Sequence, residues 1–177
     1  MTSFYDRHVL PRVICLACAS PAVMKQRAKV VPLARGRVLE LGIGGGLNLG
    51  FYDAAAVAEV VGVDPSAELR ARAAAAPRAE GLAVRILEGA AEARRVLKPG
   101  GPFLFCEHGL APDPAVARWQ RRIEPVWKRL AGGCHLTRPA AETIRAAGLP
   151  IGRLETMYLP KAPRVLGWNE WGAAERP

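Results

Sequence analysis

Four glycines crowd into five positions, Gly42, Gly44, Gly45 and Gly46, directly after an apolar run that ends in Glu40 and Leu41. Glycine adopts positive φ without strain and lets the backbone approach a ligand closely. A strand that breaks into glycines and then turns presents unpaired amides above a sheet, which is a geometry for holding a nucleotide-like molecule. The spacing narrows the ligand. A dinucleotide fingerprint, Gly-x-Gly-x-x-Gly, fails in both frames: counted from Gly42 its third glycine falls on Leu47, and from Gly44 on Leu49. What fits is acid-x-Gly-x-Gly-x-Gly, with Glu40, Gly42, Gly44 and Gly46. A second carboxylate, Asp64, closes the next apolar run, 18 residues beyond Gly46. It stands at the end of a strand, and taken alone it reads as the N-cap of the helix that Pro65 opens.

Glu107 and His108 close a later apolar run, at the carboxyl end of a strand where ligands bind in open parallel sheets. Cys134 and His135 follow two glycines and read first as a structural loop. Cys15 and Cys18 have the spacing of half a zinc site. A second half would draw on Cys106, Cys134 and His135, which lie far apart and lack ribbon spacing, so no metal is expected. The four tryptophans, Trp119, Trp127, Trp168 and Trp171, have spacings that suit packing.

These residues need elements to position them. Residues 1–30 read as a helical segment broken by Pro11 and Pro21, a lid or a cover for a sheet edge. Strands are expected over 38–41, 59–64, 82–87 and 102–107, with helices over 47–58, 67–76 and 90–97. Strand and helix in alternation indicate a parallel sheet with right-handed crossovers. A helix over 114–130, kinked or divided at Pro125, carries apolar residues at Val116, Trp119, Ile123, Val126 and Trp127. Another helix starts at Thr137 or Arg138 and stops at Gly148. Strands over 151–158 and 165–172 have no helix between them and should pair antiparallel.

The chain of 177 residues suits one domain with a full core, 31–177, behind the N-terminal segment. Its net charge of +9 invites a polyanion, but the Lys and Arg residues are scattered, without a dense run or interleaved aromatics, so nucleic-acid binding is disfavoured. No apolar run approaches the roughly 20 residues that span a bilayer. Arg7, Arg12, Lys25 and Arg27 flank apolar positions, which leaves peripheral contact with a membrane surface open. Cysteine usage points to a reducing, cytoplasmic setting. The oligomeric state is not legible.

The pattern from Glu40 to Gly46 resembles the first motif of the class I methyltransferases that use S-adenosylmethionine (SAM). In that resemblance Glu40, Gly42, Gly44 and Gly46 hold the methionine portion of the cofactor and Asp64 takes the ribose hydroxyls. Arg95-Val-Leu-Lys-Pro-Gly-Gly101 resembles the turn that introduces the family's fifth strand, and the final antiparallel pair resembles its reversed hairpin. Phe4-Tyr-Asp, Leu47-Asn-Leu, Glu107-His-Gly and Gly132-Gly-Cys-His-Leu-Thr137 resemble a small-molecule, type 11-like branch with thiol-methylating members. The resemblance implies a Rossmann-like α/β fold, mostly parallel with helices on both faces and a C-terminal antiparallel pair. It implies methyl transfer to a small molecule, with His108 or Glu107 as base.

One part of the family pattern is missing. Between residues 88 and 98 there is no room for the family's fourth strand and most of the helix after it. That strand forms a wall of the substrate pocket, and Ala90 stands where a polar residue meets the adenine amine, leaving backbone groups or Glu92. Either the Phe103 strand crosses about 14 Å into the vacant slot beside the first strand, or the first strand keeps an unpaired edge. The loss motivates one alternative, a degenerate member that binds SAM or only folds. The charge motivates another, a basic adaptor for nucleic acid or anionic membrane.

Overall fold

The computed structural model describes residues 4–89, 93–131 and 134–177. They divide into two compact units, Met1–Val96 and Leu97–Pro177.

The first unit opens with a π-helical turn, Tyr5–Val9, and two helices, α1 (Leu10–Cys18) and α2 (Pro21–Val30). Pro11 and Pro21 fall in first turns, where the missing N–H costs no helical bond. Then come β1 (Gly36–Leu41), β2 (Val57–Asp64), α3 (Ala67–Ala75), β3 (Val84–Glu88) and a short α4 (Ala93–Val96). The strands form a parallel sheet in the order β1-β2-β3. Central β2 buries Val57, Val60 and Gly62 to Asp64, as expected for a strand covered on both faces, while edge strand β3 is largely exposed.

The helix expected over 47–58 is not formed. Residues 46–57 instead run through successive tight turns, with Leu49 N–H donating to Gly46 O, Phe51 to Asn48 O and Ala56 to Asp53 O. Asp53 also takes the Ala55 amide on its side chain at 3.0 Å, the local competition by which aspartate favours turns over helix. The helix expected over 90–97 survives as α4, and its proposed first turn lies outside the described residues.

The second unit contains β4 (Pro102–His108), α5 (Pro114–Leu130), α6 (Ala140–Ala146), β5 (Ile151–Tyr158), a turn of helix α7 (Arg164–Gly167) and β6 (Trp168–Glu175). Its sheet is antiparallel, in the order β4-β6-β5. The expected final pair is present as β5 and β6, with β6 starting at Trp168 rather than 165 because α7 takes up the preceding residues. The Phe103 strand, β4, pairs with β6 from Pro102↔Glu175 to His108↔Asn169, and the pairings among the described strands make two three-stranded sheets. At Gly172 the strands of this sheet approach so closely that a Cβ would lie 1.9 Å from the Arg153 carbonyl oxygen. Phe105, Ile144, Leu149 and Ala174 form the core of the unit.

α5 runs through Pro125 unbroken. Proline there removes one bond, to the Arg121 carbonyl, and the helix bears that loss. Its inward face is not the expected one: Ala117 and Gln120 are buried, whereas Trp119 is 56% exposed and Val126 60% exposed. Trp119 therefore serves no core; the Arg122 guanidinium lies over its ring at 5.8 Å. α6 starts later than expected, because the Thr137 amide donates to Glu124 Oε2 at 2.7 Å instead of entering a helix. It ends at Ala146, and Gly148, just past the Ala147 cap, has a φ of 75° that only glycine adopts readily.

Candidate functional site

The glycine loop sits at the carboxyl end of β1, lashed to β2 by amides of Gly42 and Ile43 that both donate to the Val63 carbonyl, at 2.9 and 3.1 Å. Gly42, Gly44 and Gly46 have φ of 67°, 56° and 76°, so the alternating glycines of the motif are the positions with left-handed backbone. The loop has two faces. In front of Gly42 a Cβ would meet nothing within 4 Å, and in front of Gly44 only the Gly42 carbonyl, at 3.8 Å. Behind, a Cβ on Gly45 would lie 2.8 Å from Cys15 Sγ, and one on Gly46 2.8 Å from Ala76 Cβ. The glycines thus press the loop against α1 and the end of α3 while leaving an open cradle above Gly42 and Gly44.

Two carboxylates flank the cradle. Glu40, 9% exposed, receives the Tyr52 hydroxyl at 2.9 Å and the Asn48 amide at 2.8 Å. Arg27 of α2 donates in turn to Asn48 Oδ1 at 2.7 Å. Burial holds the Glu40 carboxyl above its ordinary value, although the Tyr52 and Asn48 hydrogen bonds and the Arg27 charge pull it down. The same burial, with the Glu40 charge beside it, drives the Tyr52 phenol strongly up. Asp64, 5% exposed, accepts the Gly44 amide on Oδ2 at 3.0 Å and the Ser66 amide on Oδ1 at 2.8 Å. Its backbone carbonyl takes Arg70 at 2.9 Å. Asp64 is not the N-cap of α3; that role belongs to Ser66, whose hydroxyl accepts the Leu69 amide at 3.3 Å.

Glu40, Gly42, Gly44, Gly46 and Asp64 are therefore brought together in the first unit. Tyr52 and Arg27 were not among the expected site residues: Tyr52 fell within the helix expected over 47–58, and Arg27 counted only as a basic residue flanking apolar positions, 21 residues from its partner Asn48. Asn48 was visible within Leu47-Asn-Leu, without a role.

In the second unit His108 ends β4 with Nε2 at 3.0 Å from Cys134 Sγ, which also receives the Trp127 indole N–H at 3.2 Å. Burial pushes the Cys134 thiol up, with the Glu107 and Glu124 charges adding to it. Glu107 is exposed, and its carbonyl takes the Asn169 amide at 2.8 Å. His135 turns instead to Glu124, Nδ1 to Oε1 at 2.9 Å. Cys134 and His135 thus part company, one joining His108 and the other bracing the loop against α5. Ala90 and Glu92 lie outside the described residues.

The donor set fits SAM. An ionised carboxylate offers about four acceptor positions, of which Asp64 uses two, leaving capacity for a ribose diol. The cradle admits a molecule where any other residue would place a Cβ. Two buried carboxylates suit a ligand carrying sulfonium and ammonium charge.

No family model matches the chain. Among curated proteins it is 42% identical over 82 residues to the thiol S-methyltransferase TMT1B of Rattus norvegicus, a match covering 43% of this chain and 34% of that protein. It is 36% identical over 83 residues to the thiol S-methyltransferase TMT1A of Homo sapiens, again over 34% of that protein. The chain thus matches about a third of the length of these relatives. Among solved structures it superposes on a chain of the complex between the Haloferax volcanii Trm112 methyltransferase activator and a methyltransferase. The TM-score is 0.58 at 16% identity, covering 99% of this chain and 98% of that one. A SAM-dependent methyltransferase from Methanosarcina mazei gives 0.55 at 16% identity, over 79% and 92%. With an acid-led glycine loop, a parallel sheet and a reversed C-terminal pair, the chain has the fold of the class I SAM-dependent methyltransferases in a shortened form.

Proposed function

We propose that this protein binds SAM and transfers its methyl group to a small-molecule acceptor, with a thiol as the leading class. The observation that carries the reading is the two-faced glycine loop, packed behind and open in front, flanked by the buried carboxylates of Glu40 and Asp64. The names of the relatives support a thiol acceptor. The four cysteines, all unbridged, fit a reducing cytoplasmic setting.

Bound there, SAM supplies an electrophilic methyl on a sulfonium. The chain's own contribution is positioning. Asp64 would accept from the ribose hydroxyls and Glu40 would set a negative potential at the loop, while the loop from Gly42 to Gly46 would hold the methionine portion by close backbone approach, since the Gly42, Ile43, Gly44 and Gly46 amides already donate within the unit. Holding the methyl in line with an attacking sulfur supplies most of the acceleration such a reaction needs. His108, or Glu107 beside it, takes the acceptor's proton where one must leave. Among the described residues no helix is long and apolar enough to cross a membrane.

The three-stranded parallel sheet, lacking the family's fourth strand, favours a second reading in which the protein binds SAM without turnover. Calorimetry with SAM beside a product assay separates the two. The first reading expects saturable binding and methylation of a thiol panel, both lost in Asp64→Ala along with the rise in Tm that SAM produces. Binding without product supports the second reading. Absence of binding by the unmodified chain refutes both.

A further inference from the structure

A cavity of about 570 Å³ opens in the second unit between α5, α6 and one face of the β5–β6 ladder. Helical spacing puts Arg118 and Arg121 on its α5 side and Arg145 on its α6 side. Trp168 and Leu154 provide apolar walls from the sheet, where Leu154 faces Gly172 in the register. The loop bearing Leu110 and Ala111 is pinned by Gln120, 1% exposed, which accepts the Ala111 amide at 2.9 Å and donates to the Gly109 and Val165 carbonyls at 3.0 and 3.2 Å.

The lining sets three arginines, Arg118, Arg121 and Arg145, against two acids, Glu142 and Glu170. Glu170 keeps its negative charge but is fixed in place, with Oε2 accepting the Ala141 amide at 2.8 Å and Oε1 the Trp168 indole at 3.4 Å. Among the described residues the side chains of Arg118, Arg121 and Arg145 have no hydrogen bond or ion pair, whereas other arginines of the unit, such as Arg153 and Arg164, are paired with carboxylates.

We propose that this cleft binds a small organic carboxylate with an apolar body, its carboxylate on the arginines and its body against Trp168 and Leu154. Guanidinium groups match carboxylates by paired hydrogen bonds, and the indole face supplies a surface for an aromatic or alkyl chain. The assignment is independent of SAM.

The test is a titration of the full chain, without SAM, using 4-phenylbutyrate, its neutral analogue 4-phenylbutanol, and inorganic phosphate. Amide and indole NMR signals of Ala111, Ala117 and Trp168 provide the readout. Saturable shifts are expected with phenylbutyrate, with the alcohol and phosphate each binding about tenfold more weakly. The double variant Arg118→Gln with Arg145→Gln should weaken phenylbutyrate about tenfold, since each exposed arginine contributes roughly two- to fivefold. Its thermal unfolding should be unchanged, because neither side chain makes an internal bond. The proposal is overturned by no saturable shift up to about 10 mM, by equal binding of the alcohol or of phosphate, or by undiminished binding in the double variant.

Discussion

Replacing Tyr52 by Phe removes one hydroxyl from the layer behind the cradle and leaves the ring in place. Tyr52 is 7% exposed and its hydroxyl donates to Glu40 Oε2 at 2.9 Å, so the change withdraws a hydrogen bond from a buried carboxylate without opening a cavity. Hydrogen bonds to charged groups contribute roughly 1.5–3 kcal/mol. For a chain of this length about 1 kcal/mol shifts Tm by roughly 2–4 °C, so the expected fall at pH 8 is about 3–12 °C. The pH dependence is the sharper test. Glu40 has a folded pKa raised above 4.5, first by burial, so its protonated form contributes stability that is present below 4.5 and lost as pH rises through the folded pKa. Tyr52 opposes that loss by favouring the ionised form. The deficit of Tyr52→Phe should therefore be widest well above the folded pKa. It should shrink as pH falls toward 4.5, where the hydroxyl meets a neutral carboxyl and contributes roughly 1 kcal/mol or less. Thermal melts of both proteins from pH 4.5 to 8 measure it. A deficit that stays constant across that range, or is absent at pH 8, refutes the network's electrostatic role.

Two further expectations follow from the same geometry. Gly46→Ala and Gly42→Ala both place a Cβ at positive φ, at a cost of about 1–2 kcal/mol each. Only the first also drives it to 2.8 Å from Ala76 Cβ and 3.0 Å from Ala73 Cα, so it should lower Tm by several degrees more; Gly42→Ala should fold and lose SAM-induced stabilisation. Thermal melts with and without SAM compare the two, and equal melting points would contradict the packed-behind, open-in-front loop. Cys134 should react slowly with iodoacetamide at pH 7, since burial holds its thiol above 9.0 and leaves less than about 1% thiolate. The rate should climb only as pH passes 9, and a thiol titrating below 8 would mean that His108 draws it into an ion pair instead.

What the sequence discloses here is what the backbone demands locally. A strand covered on both faces is apolar, as β2 is, and an exit into a cradle is glycine at alternate positions, so β2 and the loop could be read with Glu40 and Asp64 in place; β1 is apolar from Val38 to Leu39, yet Glu40 is its one buried residue. The rest depends on partners chosen at a distance. Asn48 and Tyr52 reach Glu40 because residues 46–57 wind through turns rather than a helix, and turns have no periodicity to read. Arg27 matters because α2 lies where its guanidinium meets Asn48, 21 residues on, which makes the N-terminal segment part of the layer that sets the charge behind the glycine loop. The three arginines of the cleft looked like scattered surface charge because they come from two helices, and only folding gathers them. The residues that name a fold are those whose own backbone requires them. The residues that set the potential around a ligand are recruited across it, and a single sequence carries no mark of that recruitment.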